Sequence, residues 1–254
     1  ANWKLPKLTN FRAMFYGCSS LTAVGYIDTP AATSFFNIFR GCSSLEATPD
    51  LSAWDMGNVT SVDGMFANTK SLKAMTNLSG WNLPKLTDCD NWFWDSGIET
   101  LDLTGLKLPE AKTMVGAFGG SAYLTTATLG DLDAPKLTNM SQAFADNSKL
   151  ITFDFGTANL PLLSDLTYLF QNATKLTTVD FTKTTLPAAS NLGWTFNTCS
   201  VLISVPGFGK AIGSLTTLQG TFRKCSALTT LADLEDLNTS KLTNLNSAFY
   251  LDKK

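Results

Sequence analysis

Apolar positions recur along the whole chain in one register, anchored on Phe15, Phe39, Phe66, Phe93, Phe118, Phe144, Phe170, Phe196, Phe222 and Phe249. These ten rings stand 24 to 27 residues apart and average 26. The residue four before each Phe is always apolar, from Phe11 and Phe35 through Met114 and Met140 to Leu218 and Leu245. Seven before it comes Leu8, Ala32, Val59, Leu86, Ala111, Leu137, Leu163, Ala189, Leu215 or Leu242. Apolar spacings of three and four describe one face of a helix, so the pattern predicts a short helix ending just after each Phe. Six before the Phe, nine of ten residues are Ser or Thr, Lys112 being the exception. A hydroxyl there reads as the cap of that helix.

Beyond the Phe the period changes. Leu21, Leu45, Leu72, Leu124, Leu150, Leu176, Leu202 and Leu228 stand six residues on, with Ile98 one place early because its repeat has lost a residue. The pattern continues as in Leu150, Phe153, Phe155 or Leu176, Val179, Phe181. Apolar and polar residues alternating over so few positions predict a short half-buried strand. Seven of the nine prolines lie nine before the Phe, in the turn upstream of the predicted cap.

One strand and one short helix per 26 residues cannot bury an apolar face alone, whereas stacked copies bury a continuous core. The strand signature and the period fit a leucine-rich repeat. The expected fold is a single right-handed α/β solenoid of about ten repeats over residues 1–254, starting and ending within a repeat. Its short strands would line a concave side and its short helices a convex one.

Composition narrows the function classes. Apolar residues make up 44% of the chain and charged ones 16%, so the core is ample and the chain is not a disordered one. A net charge of -2 offers no basic excess for nucleic acid. No apolar run reaches the roughly 20 residues of a membrane span, and the first residues lack a signal-peptide pattern, so the segment reads as soluble and as beginning after processing or inside a longer protein. His is absent, which removes imidazole chemistry and leaves Ser and Thr without their usual activating base. The chain is therefore read as no enzyme, with no cofactor and no metal site.

The segment L-T-N-F-R-A-M-F-Y-G-C-S-S-L at residues 8–21 resembles the BspA-like leucine-rich repeat of bacterial surface proteins, whose motif runs V-T-x-M-x-x-M-F-x-x-C-x-x-L. Residues 59–72 are nearly as close, and W-D-M-G-N-V-T from Trp54 to Thr60 is similar to the segment that leads into the motif. The resemblance implies a bacterial cell-surface or secreted location and adhesion to host or extracellular proteins. It transfers no ligand residue, because the motif consists of core and capping positions.

Candidate binding residues come from the strand column facing away from the core. Thr100, Thr126, Thr152 and Thr178 occupy one row, with Ala23, Ala47 and Ala74 in the first repeats. Two residues further on stand Asp102, Asp154 and Asp180, with Thr76 and Thr128. Such a strip of hydroxyls and carboxylates suits a basic protein segment. A rival patch is Trp94, Tyr168 and Trp194, large rings in columns that are otherwise small or polar, which would serve a glycan. A structural stalk or assembly module with end-to-end self-association is the remaining alternative. Cys18, Cys42, Cys199 and Cys225 share one column, where neighbouring helices would hold them about 10 Å apart, too far for a disulfide. Cys89 stands in a core column, and all five are read as packing thiols. The sequons at Asn58, Asn77, Asn139, Asn172 and Asn238 are read as by-products of Asn-rich turns.

Overall fold

The computed structural model describes residues 3–49, 54–73, 78–231 and 233–250. The chain winds into stacked coils. Strands β1 (Trp3–Lys4) and β2 (Ile27–Asp28) pair in parallel, and β3 (Thr100–Asp102), β4 (Thr126–Thr128), β5 (Thr152–Asp154) and β6 (Thr178–Asp180) form a second parallel sheet in chain order. The register is uniform, one coil to the next: Thr100 faces Thr126, which faces Thr152, which faces Thr178. The central residue of each strand, Leu101, Ala127, Phe153 or Val179, is buried. This one-strand-per-repeat parallel ladder is what the leucine-rich-repeat reading expects.

The Phe column forms the spine of the core. Each of the ten rings stacks on the next, with centroids 5.1 to 6.0 Å apart and planes within 23° of parallel. Offset stacks at this separation add to the burial of each ring.

The predicted helices are absent, and this corrects the sequence reading. Among the described residues the only α-helix is α1 (Phe208–Ala211), with short 3-10 turns at Leu78–Gly80 and Leu234–Asp236. Where the helices were expected, alternate amides bond in two directions. Ala13, Phe15 and Gly17 donate to Phe36, Ile38 and Arg40 of the next coil at 2.9, 2.9 and 2.8 Å. Met14, Tyr16 and Cys18 between them donate three residues back, to Phe11, Ala13 and Phe15. A helix would place every amide within its own coil, whereas here half of them bind coil to coil.

Two residues per repeat take the left-handed conformation that makes this alternation work. Two before the Phe, φ is positive at every coil from Ala13 (56°) to Ser247 (56°), and two after it from Gly17 (71°) to Lys224 (62°). The Ser/Thr column does not cap helices either. Its hydroxyls donate across the coils, Thr87 to the Thr60 carbonyl at 3.0 Å and Thr216 to that of Ser190 at 2.9 Å.

The geometry of the whole follows. Two further ladders of parallel bridges run along the stack, one from Asn10 and Ser34 through Asp88, Thr113 and Asn139 to Asn244, the other in the column of β1 and β2, where Lys107 pairs with Asp133, Asp133 with Asn159, and Leu186 with Ile212. All three ladders therefore repeat at the backbone hydrogen-bond spacing of about 4.8 Å. Helices some 10 Å wide on one side would splay the coils there and curve the stack. Among the described residues no row of helices supplies such a wedge, so the predicted helical convex side is not found.

Candidate functional site

The structure brings the predicted strip together. Thr100, Thr126 and Thr152 are exposed and Thr178 is half-buried, and the row continues to Ser204 by a parallel bridge. Asp102, Thr128, Asp154 and Asp180 form the second row, also in register, with all three carboxylates exposed. Ala23 and Ala47 occupy the first row in the early coils, also exposed, while Ala74 and Thr76 lie outside the described residues.

Each second-row residue also has a local duty. Asp102 Oδ1 accepts the Thr104 amide at 2.9 Å, Asp154 Oδ1 that of Gly156 at 2.8 Å, and Asp180 Oδ1 that of Thr182 at 2.7 Å. Thr128 Oγ1 accepts from Gly130 at 3.0 Å. Side chains that accept an amide two residues on close the turn after the strand. The Thr104 hydroxyl and amide hold the Asp102 carboxyl below its ordinary value, and Thr182 does the same for Asp180. Both are therefore anionic at neutral pH.

The aromatic patch is only partly assembled. Tyr168 and Trp194, in adjacent coils, stack with centroids 6.4 Å apart and planes 14° from parallel. Their backbones are left-handed, at 59° and 61°, which bulky side chains rarely adopt. The Arg223 guanidinium lies 5.8 Å from the Trp194 ring and 5.3 Å from that of Tyr250. Trp94 belongs to another column, four coils before Trp194, where it covers Gly116 and Gly119 of its neighbouring coil. The rings turn one face to each other, and Trp194 also meets Arg223 and the backbone of Gly220.

The shared cysteine column has a function that sequence reasoning missed. The thiols of Cys42, Cys199 and Cys225 donate to the carbonyls of Phe15, Phe170 and Phe196 in the preceding coils at 3.1, 3.1 and 3.0 Å. Asn147 serves Phe118 in the same way at 3.0 Å, and Ser121 serves Phe93 at 3.3 Å. The column holds small side chains, most of them hydrogen-bond donors, with Ala173 the exception. All five cysteines are free thiols. The 10 Å separation argued from helices does not apply, since the coils are one ladder step apart.

Two further columns just before the strand rows were not singled out. Five after the Phe come Tyr123, Lys149, Lys175 and Val201, at the edge where the chain enters the strands. Lys149 Nζ lies 4.8 Å from the centre of the Tyr123 ring. Seven after it, Ile151 and Ile203 are 47% and 49% exposed, unusual for isoleucine on a sheet face. The signal was in the alignment, as apolar or basic residues in columns that are otherwise polar.

Asp233, Glu235 and Asp236 could bring three carboxylate oxygens together, with Lys210 Nζ 3.6 Å from Asp233 and 3.7 Å from Asp236. A lysine at that distance supplies the positive charge such a group calls for. No helix among the described residues is long and apolar enough to cross a membrane. Apolar clefts of about 190 and 200 Å³ lie at the two ends of the stack, lined by Phe222, Leu228 and Phe249, and by Phe15, Leu21 and Ile27.

A family profile described as "Mycoplasma protein of unknown function, DUF285" matches residues 1–105 and 96–203. The chain belongs to the DUF285 family. No curated protein matches this DUF285 chain. Solved structures with similarity to it include a leucine-rich cell surface protein from Faecalibacterium prausnitzii A2-165, at 18% identity and a TM-score of 0.36, covering 87% of this chain and 68% of that one. A leucine-rich repeat protein from Bacteroides ovatus ATCC 8483 is 17% identical with a TM-score of 0.37, covering 93% and 70%. TLR13 in its ssRNA13 complex is 15% identical with a TM-score of 0.40; 91% of this chain matches 32% of that one.

Proposed function

We propose that this DUF285 chain is a non-enzymatic binding scaffold of leucine-rich-repeat type, presented on a bacterial surface or secreted, and that its strand face meets a basic segment of an extracellular or host protein. The observation that carries the reading is the pair of in-register rows, Thr100, Thr126, Thr152 and Thr178 beside Asp102, Asp154 and Asp180. They present hydroxyls and carboxylates at a fixed step of about 4.8 Å, already ordered by backbone pairing. Little conformational entropy is then lost on binding. The resemblance of residues 8–21 to the BspA-like repeat supports the location and the adhesive role. Glycan binding at Tyr168 and Trp194 is the lesser reading, because a sugar stacks on a ring face and these two rings already stack on each other, apart from Trp94.

The test is a pull-down against extracellular host proteins with the parent and with Asp102→Asn, Asp154→Asn and Asp180→Asn combined. Asn retains the turn-closing oxygen, so the variant should fold, while a basic partner should bind less tightly and with less salt dependence. Equal retention of the partner by both proteins at low salt refutes the strip.

A further inference from the structure

Cys18 and Cys42 hold the same column in successive coils, and the backbone on both sides of them is tied coil to coil. A β-carbon at Gly41 would stand 3.5 Å from the Gly17 α-carbon. With one further carbon–carbon bond of about 1.5 Å, those two α-carbons lie no more than about 5 Å apart. Just before the cysteines the Gly17 amide donates to the Arg40 carbonyl at 2.8 Å, and just after them the Ser44 amide donates to the Ser19 carbonyl at 3.2 Å. Held between these contacts, the cysteine α-carbons keep close to the same separation, inside the window of about 4.4 to 6.8 Å that a disulfide spans.

The side chains complete the geometry. The Cys42 thiol leans back onto the first coil, 3.1 Å from the Phe15 carbonyl, which also accepts the Cys18 amide at 3.1 Å. Burial raises the Cys42 pKa most, the Cys18 thiol raises it further, and the Cys18 amide lowers it, as befits a sulfur with both groups beside it. Cys42 is buried and Cys18 is exposed. A dissolved oxidant can therefore reach one member of the pair directly and the other only through it. Cys199 and Cys225 share the column in the same way, but both are buried.

We propose that Cys18 and Cys42 form an oxidation site, closed to a disulfide between the first two coils by a small dissolved disulfide such as oxidised glutathione. The Cys18 thiolate attacks one sulfur of the oxidant, forming a mixed disulfide and expelling one glutathione thiolate. The Cys42 thiolate then attacks the Cys18 sulfur and expels the second. The two protons lost by the cysteines end on the two glutathione thiols, so one dissolved disulfide is reduced for each protein disulfide formed. When Cys42 turns to Cys18, the Phe15 carbonyl loses the thiol but keeps the Cys18 amide, and no buried acceptor is orphaned. The bond closes residues 18–42 into a loop and keeps the first coil from separating from the second. Disulfides persist outside the cell and are rare in a reducing cytoplasm, so the bond would report which of the two surrounds the chain.

The test incubates the reduced, folded chain with oxidised glutathione at pH 8, quenches with acid, and counts the remaining thiols by denaturation, alkylation and mass spectrometry. Two of the five thiols should be lost, with the peptides of Cys18 and Cys42 joined and Cys89, Cys199 and Cys225 alkylated. A reductant should return all five. Cys42→Ser should stop at the first step, with glutathione on Cys18, and Cys18→Ser should keep its four remaining thiols. Serine already serves this column at Ser121, donating to the Phe93 carbonyl, so Cys42→Ser keeps the coil-to-coil bond. Glutathione retained on Cys18 in the parent, a Cys18 disulfide between two chains, or five thiols left after the treatment overturns the proposal.

Discussion

The Cys42 thiol donates to the Phe15 carbonyl one coil back, at 3.1 Å, and so fastens a side chain of the second repeat to the backbone of the first. Burial, with the neighbouring Cys18 adding to it, pushes the Cys42 pKa up to about 11. Burial likewise takes Cys225 to about 12, and Cys89 and Cys199 well above their ordinary value. The thiolate is the reactive form. At pH 8, Cys42 would be ionised in only about one molecule in a thousand. Alkylation of the folded protein at that pH should therefore mark Cys18, which is exposed, and spare the other four. Denaturation without reductant should release all five for labelling, as counted by mass spectrometry. A count below five would reveal a disulfide.

Phe144→Ala should cost on the order of 3 to 5 kcal/mol. The ring is fully buried, stacks on Phe118 at 5.4 Å and Phe170 at 5.9 Å, and meets the edge of Phe153 at 4.8 Å. Urea denaturation gives the value directly. A loss under about 1 kcal/mol would contradict the continuous spine.

Asp63 and Asp90 should make the protein more stable on mild acidification. Burial is the main cause of the raised pKa at both, and Asp88 adds repulsion at each. A carboxyl whose folded pKa exceeds its unfolded one binds more protons when folded, so its penalty is present at neutral pH and disappears as pH falls through the folded value. Asp63→Asn should raise the melting temperature at pH 7 and flatten this rise. Asp102 and Asp180 have the opposite sign, and their contributions are lost as pH falls through their lowered folded values. Melting curves of parent and variant between pH 7 and 4 separate the two effects.

Gln142→Gly should stabilise the fold by about 0.5 to 1 kcal/mol, the relief of a left-handed residue outweighing the extra freedom of the unfolded chain. Gln142 is exposed and has a φ of 58°. An unchanged or lower melting temperature would argue against the left-handed column. Thr87→Val tests the hydroxyl ladder, with an expected loss of about 1 kcal/mol for the bond to the Thr60 carbonyl.

The strand register was legible in the sequence because the alternation of Leu150, Phe153 and Phe155 has a period that only a strand explains. The segment before each Phe was misread for a physical reason. A ribbon of successive turns also buries residues three and four apart, as Phe35, Ile38 and Phe39 show, so apolar spacing could not separate it from a helix. The deciding signal lay in the other columns. Gly64, Gly116 and Gly220 share one with Asn37 and Asn91, and Gly17, Gly41 and Gly120 share another with Asn68 and Asn172, the residues that tolerate positive φ. Tyr168 and Trp194 in the first of these columns obscured it. Of the candidate strip, the rows and their exposure could be read from the alternation. The capture of Gly156 and Thr182 amides by Asp154 and Asp180 could not, because it depends on how the chain turns after the strand.

The ladders advance together, one hydrogen-bond step of about 4.8 Å for each coil. Inserting one more 26-residue unit would lengthen the stack by about that step and add one residue to every row. Reach can thus be altered by duplicating or deleting a unit of coding sequence, without a new kind of contact between coils.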